Sequence, residues 1–337
     1  MPHERLKRSQ NSQIVNCPIV RYMHLYRDEL LRQHFPAPRE CVKWVKHCFL
    51  TKHEAYLPPK TSLHPQGTDF FNTMPCLLPP EAHRYGVKVV HRIAGATPSL
   101  GGTILLFDSA KGTLLAQFDS DRITTMRTGA VAALSAMTFR KSNALNYGFI
   151  GLGNTARATL LCLLDSEPTA SHHVTLLKYK DQAERFIERF ASWENVEFHV
   201  VESAENVVRS SDAVFSCLTD AESLLCPNED CFHEGCTIIP VHTKGFQNCD
   251  LFFDSVFADD RAHVSGFRYF DHFHRFAEMG DVLRGKAQGR QSDTERILCY
   301  NIGIALHDIY FAHQLHQKLK EQAPIIDMGG TKPKFYI

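Results

Sequence analysis

The chain has 337 residues, 44% of them hydrophobic and 22% charged. That length leaves room for two domains or one large domain with an appendage, excludes a small disulfide-stapled module, and the composition argues against disorder. Lys plus Arg (37) balance Asp plus Glu (37), so no global basic field favours nucleic acid; Arg5 to Arg8 is only a short basic start, and Lys318 to Lys320 reads as the solvated end of a helix.

In the first 130 or so residues, prolines (Pro36 to Pro38, Pro58, Pro59, Pro65, Pro75, Pro79-Pro80) punctuate short apolar segments, which suggests strands and loops with few long helices. Gly86 to Ile93 and Thr103 to Phe107 read as strands. Asp108 to Gly112 is a turn and Thr113 to Phe118 the returning strand of a hairpin. From Asp121 to Phe139 the chain is rich in Ala, Met and Leu without proline, a helix opening on an acidic residue.

Strand and helix then alternate. Strands are expected at Asn146 to Ile150, His173 to Lys178, Val196 to Val201, Ala213 to Cys217 and Thr237 to Val241. Helices are expected at Thr155 to Leu164, Asp181 to Ser192 and Ser203 to Arg209. This alternation predicts a parallel, doubly wound sheet. Phe252 to Ala258 reads as one more strand, and Thr294 to Gln322 as one long helix that could pack back on the first part of the chain.

The cysteines number eleven, an odd count at irregular spacing. Cys226, Cys231 and Cys236, with Cys217 and His233 nearby, raise the question of zinc, but they lack the closely spaced pairs that build structural sites. The 19 histidines show no H-E-x-x-H spacing. No metal is expected. Met1 to Gln13 lacks an apolar signal region, and no apolar run reaches the roughly 18 residues that span a bilayer. A soluble, cytoplasmic protein with free thiols is expected.

The glycine loop carries the first chemical signal. Gly151-Leu-Gly153-Asn154-Thr155-Ala156 is G-x-G-x-x-A placed directly between an expected strand and helix. One glycine permits the tight turn, the next admits a pyrophosphate, and the small residue lets the helix pack, so Gly151, Gly153, Asn154, Thr155 and Ala156 are candidate dinucleotide contacts. The alternative is a packing turn. The next strand lacks the acidic end that would bind an NAD ribose and runs into Lys178 and Lys180, which favours NADP over NAD. Otherwise these lysines are solvated helix-start charges.

With Pro59-Lys60, Met74-Pro75, Gly86-Val-Lys88-Val-Val, Gly102 to Asp108 and Met126-Arg127-Thr128-Gly-Ala, then the glycine loop, Gly289-Arg290, Glu295-Arg-Ile and Asn301 to Asp308, the chain resembles the ornithine cyclodeaminase and mu-crystallin family over most of its length. The resemblance implies a homodimer, with a Rossmann NAD(P)-binding domain (127–306) inserted into a discontinuous α+β substrate and dimerisation domain (1–126, with the C-terminal helix 307–337 packing back on it). It implies that Lys60, Lys88, Thr103 and Arg127 bind the carboxylate and polar head of an amino acid, imine or keto acid.

The residues themselves agree, because a carboxylate needs clustered cations and Lys88 and Arg127 lie in apolar surroundings where an unpaired charge is costly. A structural ion pair with a carboxylate such as Asp121 is the other reading of those two, and Lys60 could be a solvated loop residue. The family's catalytic Asp is replaced: Pro240-Val-His242-Thr-Lys244-Gly stands in its segment, with Lys244 at its place. A cation there repels a substrate ammonium and argues against ornithine cyclisation.

The expected activity is therefore an NAD(P)H-dependent oxidoreductase acting on an imine, keto acid or amino acid. Lys88 would protonate or polarise the reacting centre, and His242 or Lys244 would donate a proton or bind a second anion. A cyclodeaminase-like lyase using NAD cyclically and a non-catalytic cofactor- or ligand-binding protein are the alternatives. The substrate side chain is expected against Phe70, Phe71, Phe246 and Tyr269.

Overall fold

A computed structural model describes residues 22–218 and 221–329. Met1 to Gln13 with its basic start, Cys17 and residues 330–337 of the C-terminal segment lie outside the described residues.

The chain opens with β1 (Tyr22–Tyr26), α1 (Asp28–His34) and α2 (Pro38–Thr51). Helix α2 corrects the expectation of few long helices. Pro38 occupies its first turn, where the missing N–H has no partner to lose, and Cys41, Val45, Cys48 and Phe49 recur at helical spacing on its buried side. Strands β2 (Thr61–Leu63), β3 (Phe70–Leu77), β4 (Arg84–Arg92), β5 (Leu100–Asp108) and β6 (Leu114–Asp119) follow, and α3 runs over the expected Asp121–Phe139.

Then come β7 (Asn146–Ile150), α4 (Asn154–Ser166), β8 (His172–Leu177), α5 (Gln182–Arg189), β9 (Val196–Val201), α6 (Ala204–Arg209), β10 (Ala213–Ser216) and β11 (Thr237–Pro240). The remaining elements are β12 (Ser255–Ala258), α7 (Arg261–Val264), β13 (Phe276–Glu278), α8 (Met279–Leu283), β14 (Ile297–Tyr300), α9 (Ala305–Leu319) and β15 (Ile325–Asp327). The expected helix from Thr294 to Gln322 is thus a buried strand followed by a shorter helix, with Gly303 at φ +88° between them. A short apolar run such as Ile297–Tyr300 has no periodicity that separates strand from helix.

Among the described residues, the strands form two sheets. One is mixed, in the order β15-β1-β6-β5-β4-β3-β2; the other has eight parallel strands in the order β13-β12-β14-β11-β10-β7-β8-β9. The parallel sheet is the doubly wound α/β arrangement expected from the alternation. Its strand order reverses between β7 and β10, and a crevice opens there at the strand ends.

In the mixed sheet, alternate residues face opposite sides. Met74, Lys88 and Ile104 are in register on the face covered by α9 and are buried, while Val89 and Tyr85 on the other face are exposed. Helix α3 passes between the layers with Ala130, Val131, Ala132, Ala133 and Ala136 all buried, and small side chains let α4 and α2 pack closely on it. This placement brings Arg127 from α3, Lys88 from β4 and the strand ends of the parallel sheet to one cleft.

Candidate functional site

The cleft has a volume of about 380 Å³ and is lined by Lys60, Lys88, Arg127, Thr155 and His242, with Phe70, Asn72 and Asn301 completing the wall. Lys88 is 1% exposed, and its Nζ lies 2.8 Å from Oδ2 of Asp308 on α9. Arg127 donates from Nε to Oδ1 of the same carboxylate at 2.9 Å. Gly303 makes room for this arrangement, since a Cβ there would lie 2.5 Å from Arg127 Nη1. Burial would by itself raise the Asp308 carboxyl, but Arg127 and Lys88 beside it hold it below the usual carboxylate range.

Lys88 is pushed down to about 8, first by burial and then by the Arg127 charge, against the pull of Asp308. Burial also lowers Lys60, with Arg127 adding to the effect and Asp259 opposing it. Three cations share two buried carboxylates, Asp308 and Asp259, so the cleft is electrostatically prepared for an anion. Oδ1 of Asn72, Oγ1 of Thr124 and Oδ1 of Asn301 are buried in its lining, each without a hydrogen-bond partner among the described residues. Orphaned polar atoms of this kind are costly unless a ligand or water meets them.

The structural ion pair envisaged for Lys88 and Arg127 exists, but with Asp308 rather than Asp121. Asp308 is the residue of this cluster that the sequence did not single out. A carboxylate inside the apolar run Ile304 to Ala312 carries the same burial penalty that singled out Lys88, and that signal would have found it.

Thr103 is a correction. It pairs with Val89, one residue out of step with the Ile104–Lys88 pair, so it lies on the opposite face of the sheet and not in the cleft. Phe71 lies on that outer face too, its ring tilted against that of His91, and Phe246 is buried in the core. Of the four aromatics expected around the substrate, only Phe70 lines this cleft; Tyr269 lines a neighbouring cavity.

His242 reaches the cleft from the loop after β11. Its Nδ1 accepts the Lys244 backbone N–H at 3.2 Å, so Nε2 carries the proton and donates to Ser216 Oγ at 2.7 Å. The Lys244 side chain belongs to the wall of the neighbouring cavity rather than to the cleft.

The glycine loop fits a dinucleotide pyrophosphate. Gly151 has φ +85°, and a Cβ on it would lie 2.9 Å from the Cys217 backbone, so only glycine allows this turn. Gly153 caps the 13-residue helix α4 without a side-chain hydrogen bond, leaving the N–H groups of the first turn for an anion. Ala156 is fully buried where the helix meets the sheet, and Thr155 faces the cleft. Asn154 opens α4 on its other side, in a separate cavity with Arg157 and Arg189.

The expected cations follow β8, but they are not equivalent. Lys178 Nζ lies 2.8 Å from Glu202 Oε1 at the end of β9, which raises the lysine's pKa, and both side chains are exposed. Lys180 is in a left-handed turn (φ +52°) with its ammonium over the Tyr179 ring. The ten described cysteines are free thiols, and no group of His, Cys, Asp or Glu suited to a metal occurs among the described residues. No helix among them is long and apolar enough to cross a membrane.

Comparison with known proteins places this geometry. The chain is 27% identical over 264 residues to the nodulation efficiency protein NfeD of Rhizobium meliloti, covering 75% of this chain and 81% of that one. It is 24% identical over 235 residues to the N-((2S)-2-amino-2-carboxyethyl)-L-glutamate dehydrogenase of Staphylococcus aureus, covering 66% and 69%. The Thermococcus litoralis Δ1-pyrroline-2-carboxylate reductase, solved with NADH and L-proline, superposes with a TM-score of 0.78 at 22% identity over 92% of this chain and all of that one, which shows a shared fold. A model of the ornithine cyclodeaminase/mu-crystallin family matches residues 32–323, and the chain belongs to that family.

Proposed function

We propose that the protein is an NAD(P)H-dependent reductase of a carboxylate-bearing imine or keto acid, working in the reverse direction as an amino acid dehydrogenase. The observation that carries this reading is the buried Lys88–Asp308–Arg127 cluster at the base of a cleft that also reaches Thr155 of the glycine loop. Curated relatives named as imine or amino acid oxidoreductases support it.

The cofactor would be held by Gly151, Gly153 and the first turn of α4, and it would supply or accept the hydride at the substrate α-carbon. The chain's own residues do the rest. Arg127 and Lys60 hold the substrate carboxylate, and Asp308 fixes the orientation of Arg127 and Lys88. Lys88, its pKa pushed down to about 8, delivers a proton to the reacting nitrogen or oxygen. His242 lines the cleft with both ring nitrogens engaged, by Ser216 and by the Lys244 N–H, so in this reading it shapes the wall and Lys88 is the proton donor. NADP(H) is the preferred cofactor in this reading, through Lys178 and Lys180, with Glu202 reducing the preference.

In this reading the division into residues 1–126 with 307–337 and an inserted unit 127–306 separates substrate binding from cofactor binding. The active form is a cytoplasmic homodimer. Leu63, Phe71, Leu77, Tyr85 and Val89 expose apolar surface along the outer face of the mixed sheet, and a second copy burying that face accounts for them. Sedimentation of a Val89→Glu variant should show monomer.

Reduced-nicotinamide absorbance, followed with keto acids plus amines and with cyclic imines, tests the activity. Net cofactor oxidation is expected. Ammonia release without net cofactor change would establish a lyase, and cofactor binding without turnover on the whole panel would establish a binding protein.

A further inference from the structure

The register of the mixed sheet lays out one wall of the cleft as three rungs, each crossing β3, β4 and β5 on the face that Lys88 occupies. Met74, Lys88 and Ile104 form the first rung, Asn72, Val90 and Gly102 the second, and Phe70, Arg92 and Leu100 the third. Alternate residues of a strand share a face, so Arg92 belongs with Lys88 and Val90, while His91 lies beside Phe71 on the outer face. Phe70 and Leu100, on either side of Arg92, both line the cleft. Arg92 therefore stands at the rim, two rungs and about 13 Å of strand from Lys88.

The reaction reading above gives this cation no role, and the fold gives it no anion. Arg84, at the other end of the same strand, has Asp108 at 3.9 Å. Arg92 is half-buried and has no ion pair or hydrogen bond from its side chain among the described residues; its Nε is closed off, and its two Nη atoms stay open. A guanidinium partly withdrawn from water without a counter-charge is costly, and an incoming carboxylate would remove that cost.

The rung between the two cations is neutral. Among the described residues no Asp or Glu lines the cleft, and Asp308 is already shared by Lys88 and Arg127. A substrate side chain ending in a cation finds no partner on this wall, whereas one ending in an anion meets Arg92 after crossing Val90. We infer that Arg92 determines specificity: the cleft takes a 2-oxo or imino acid whose side chain ends in a second carboxylate. The reacting head lies on Lys88 and Arg127, the distal carboxylate on Arg92, and the methylene frame between them on Val90, Phe70 and Leu100.

The inference rests on the reductase reading for which end reacts, but the role of Arg92 is tested without turnover. Calorimetric titration into protein saturated with NADPH compares glutarate, adipate and pimelate, each with its own monomethyl ester, which keeps the frame and one carboxylate and removes the other charge. In the wild type the best-fitting diacid should bind at least about tenfold more tightly than its ester. In Arg92→Gln that ratio should fall towards one, with ester affinity and NADPH binding unchanged, and Arg92→Lys should retain part of it.

A ratio near one at all three lengths, no binding of any diacid, or a ratio that survives Arg92→Gln overturns the assignment. Turnover of 2-oxohexanoate against 2-oxoadipate, each with methylamine and NADPH, separates it from the reaction reading. Equal reduction of the two, without a diacid preference in binding, leaves the reductase and removes the role of Arg92. A diacid preference that Arg92→Gln abolishes, without reduction of either acid, does the reverse.

Discussion

Two groups of lysines serve opposite ends of the proposed active site, and they differ in how the fold treats their charge. Lys88 is buried, shares Asp308 with Arg127 and has its pKa pushed down to about 8. Lys178 stands in solvent with Glu202 as an exposed partner. A buried cation costs so much to desolvate that it persists only with a partner and a use, whereas an exposed pair is screened and loosely held. The cleft cluster should therefore govern whether the protein works, and the exposed lysines only which cofactor it prefers.

Asp308→Ala breaks the comparison most severely. It leaves Lys88 and Arg127 without their buried counter-charge, and denaturant unfolding should show a loss of about 3–5 kcal/mol. A variant as stable as the wild type would remove Asp308 from the centre of the site.

Lys88→Met keeps the volume and lets Asp308 retain Arg127. Turnover should fall by about 10²–10⁴-fold while the unfolding midpoint stays close to the wild-type value. A fall in stability with turnover preserved would mark Lys88 as purely structural. Arg127→Lys keeps the charge but loses the planar fork, so KM should rise by roughly tenfold, more than kcat changes.

The pH dependence follows from Lys88. As proton donor it must be charged, so imine reduction should decline as pH rises through about 8. Stability moves the other way. The unfolded lysine titrates near 10.5 and the native one near 8, so the native chain binds fewer protons between these values and stability rises with pH across that window. Below about 8 the penalty is constant. A Lys88→Met variant should lose both dependences.

The smallest effect is expected at the exposed end. Lys178→Ala should lower the preference for NADPH over NADH only a few-fold, Glu202→Gln should raise it by a similar amount, and both changes should shrink as salt is added. Comparison of KM for the two cofactors at low and high ionic strength measures this.

Much of the fold was legible along the chain. The strands Asn146–Ile150 and Val196–Val201 and the helix Asp121–Phe139 follow directly from periodicity, and the glycine loop announces its own strand and helix. What could not be read was register and partnership. Thr103 and Lys88 lie in neighbouring strands with similar local patterns, and only the pairing of Lys88 with Ile104 sends Thr103 to the far face. Lys244 follows His242 by two residues, yet its side chain serves a different cavity.

The chain by itself determined the alternating α/β region, the dinucleotide loop and the cost of placing Lys88 and Arg127 among apolar residues, because local backbone preference and burial patterns are written in short stretches. The tertiary structure alone decided that Asp308, 181 positions after Arg127, closes the cluster. It also decided that a second cavity meets the cleft at Thr243. Charge pairing and cavity shape depend on elements brought together across the whole chain, and no local window contains them.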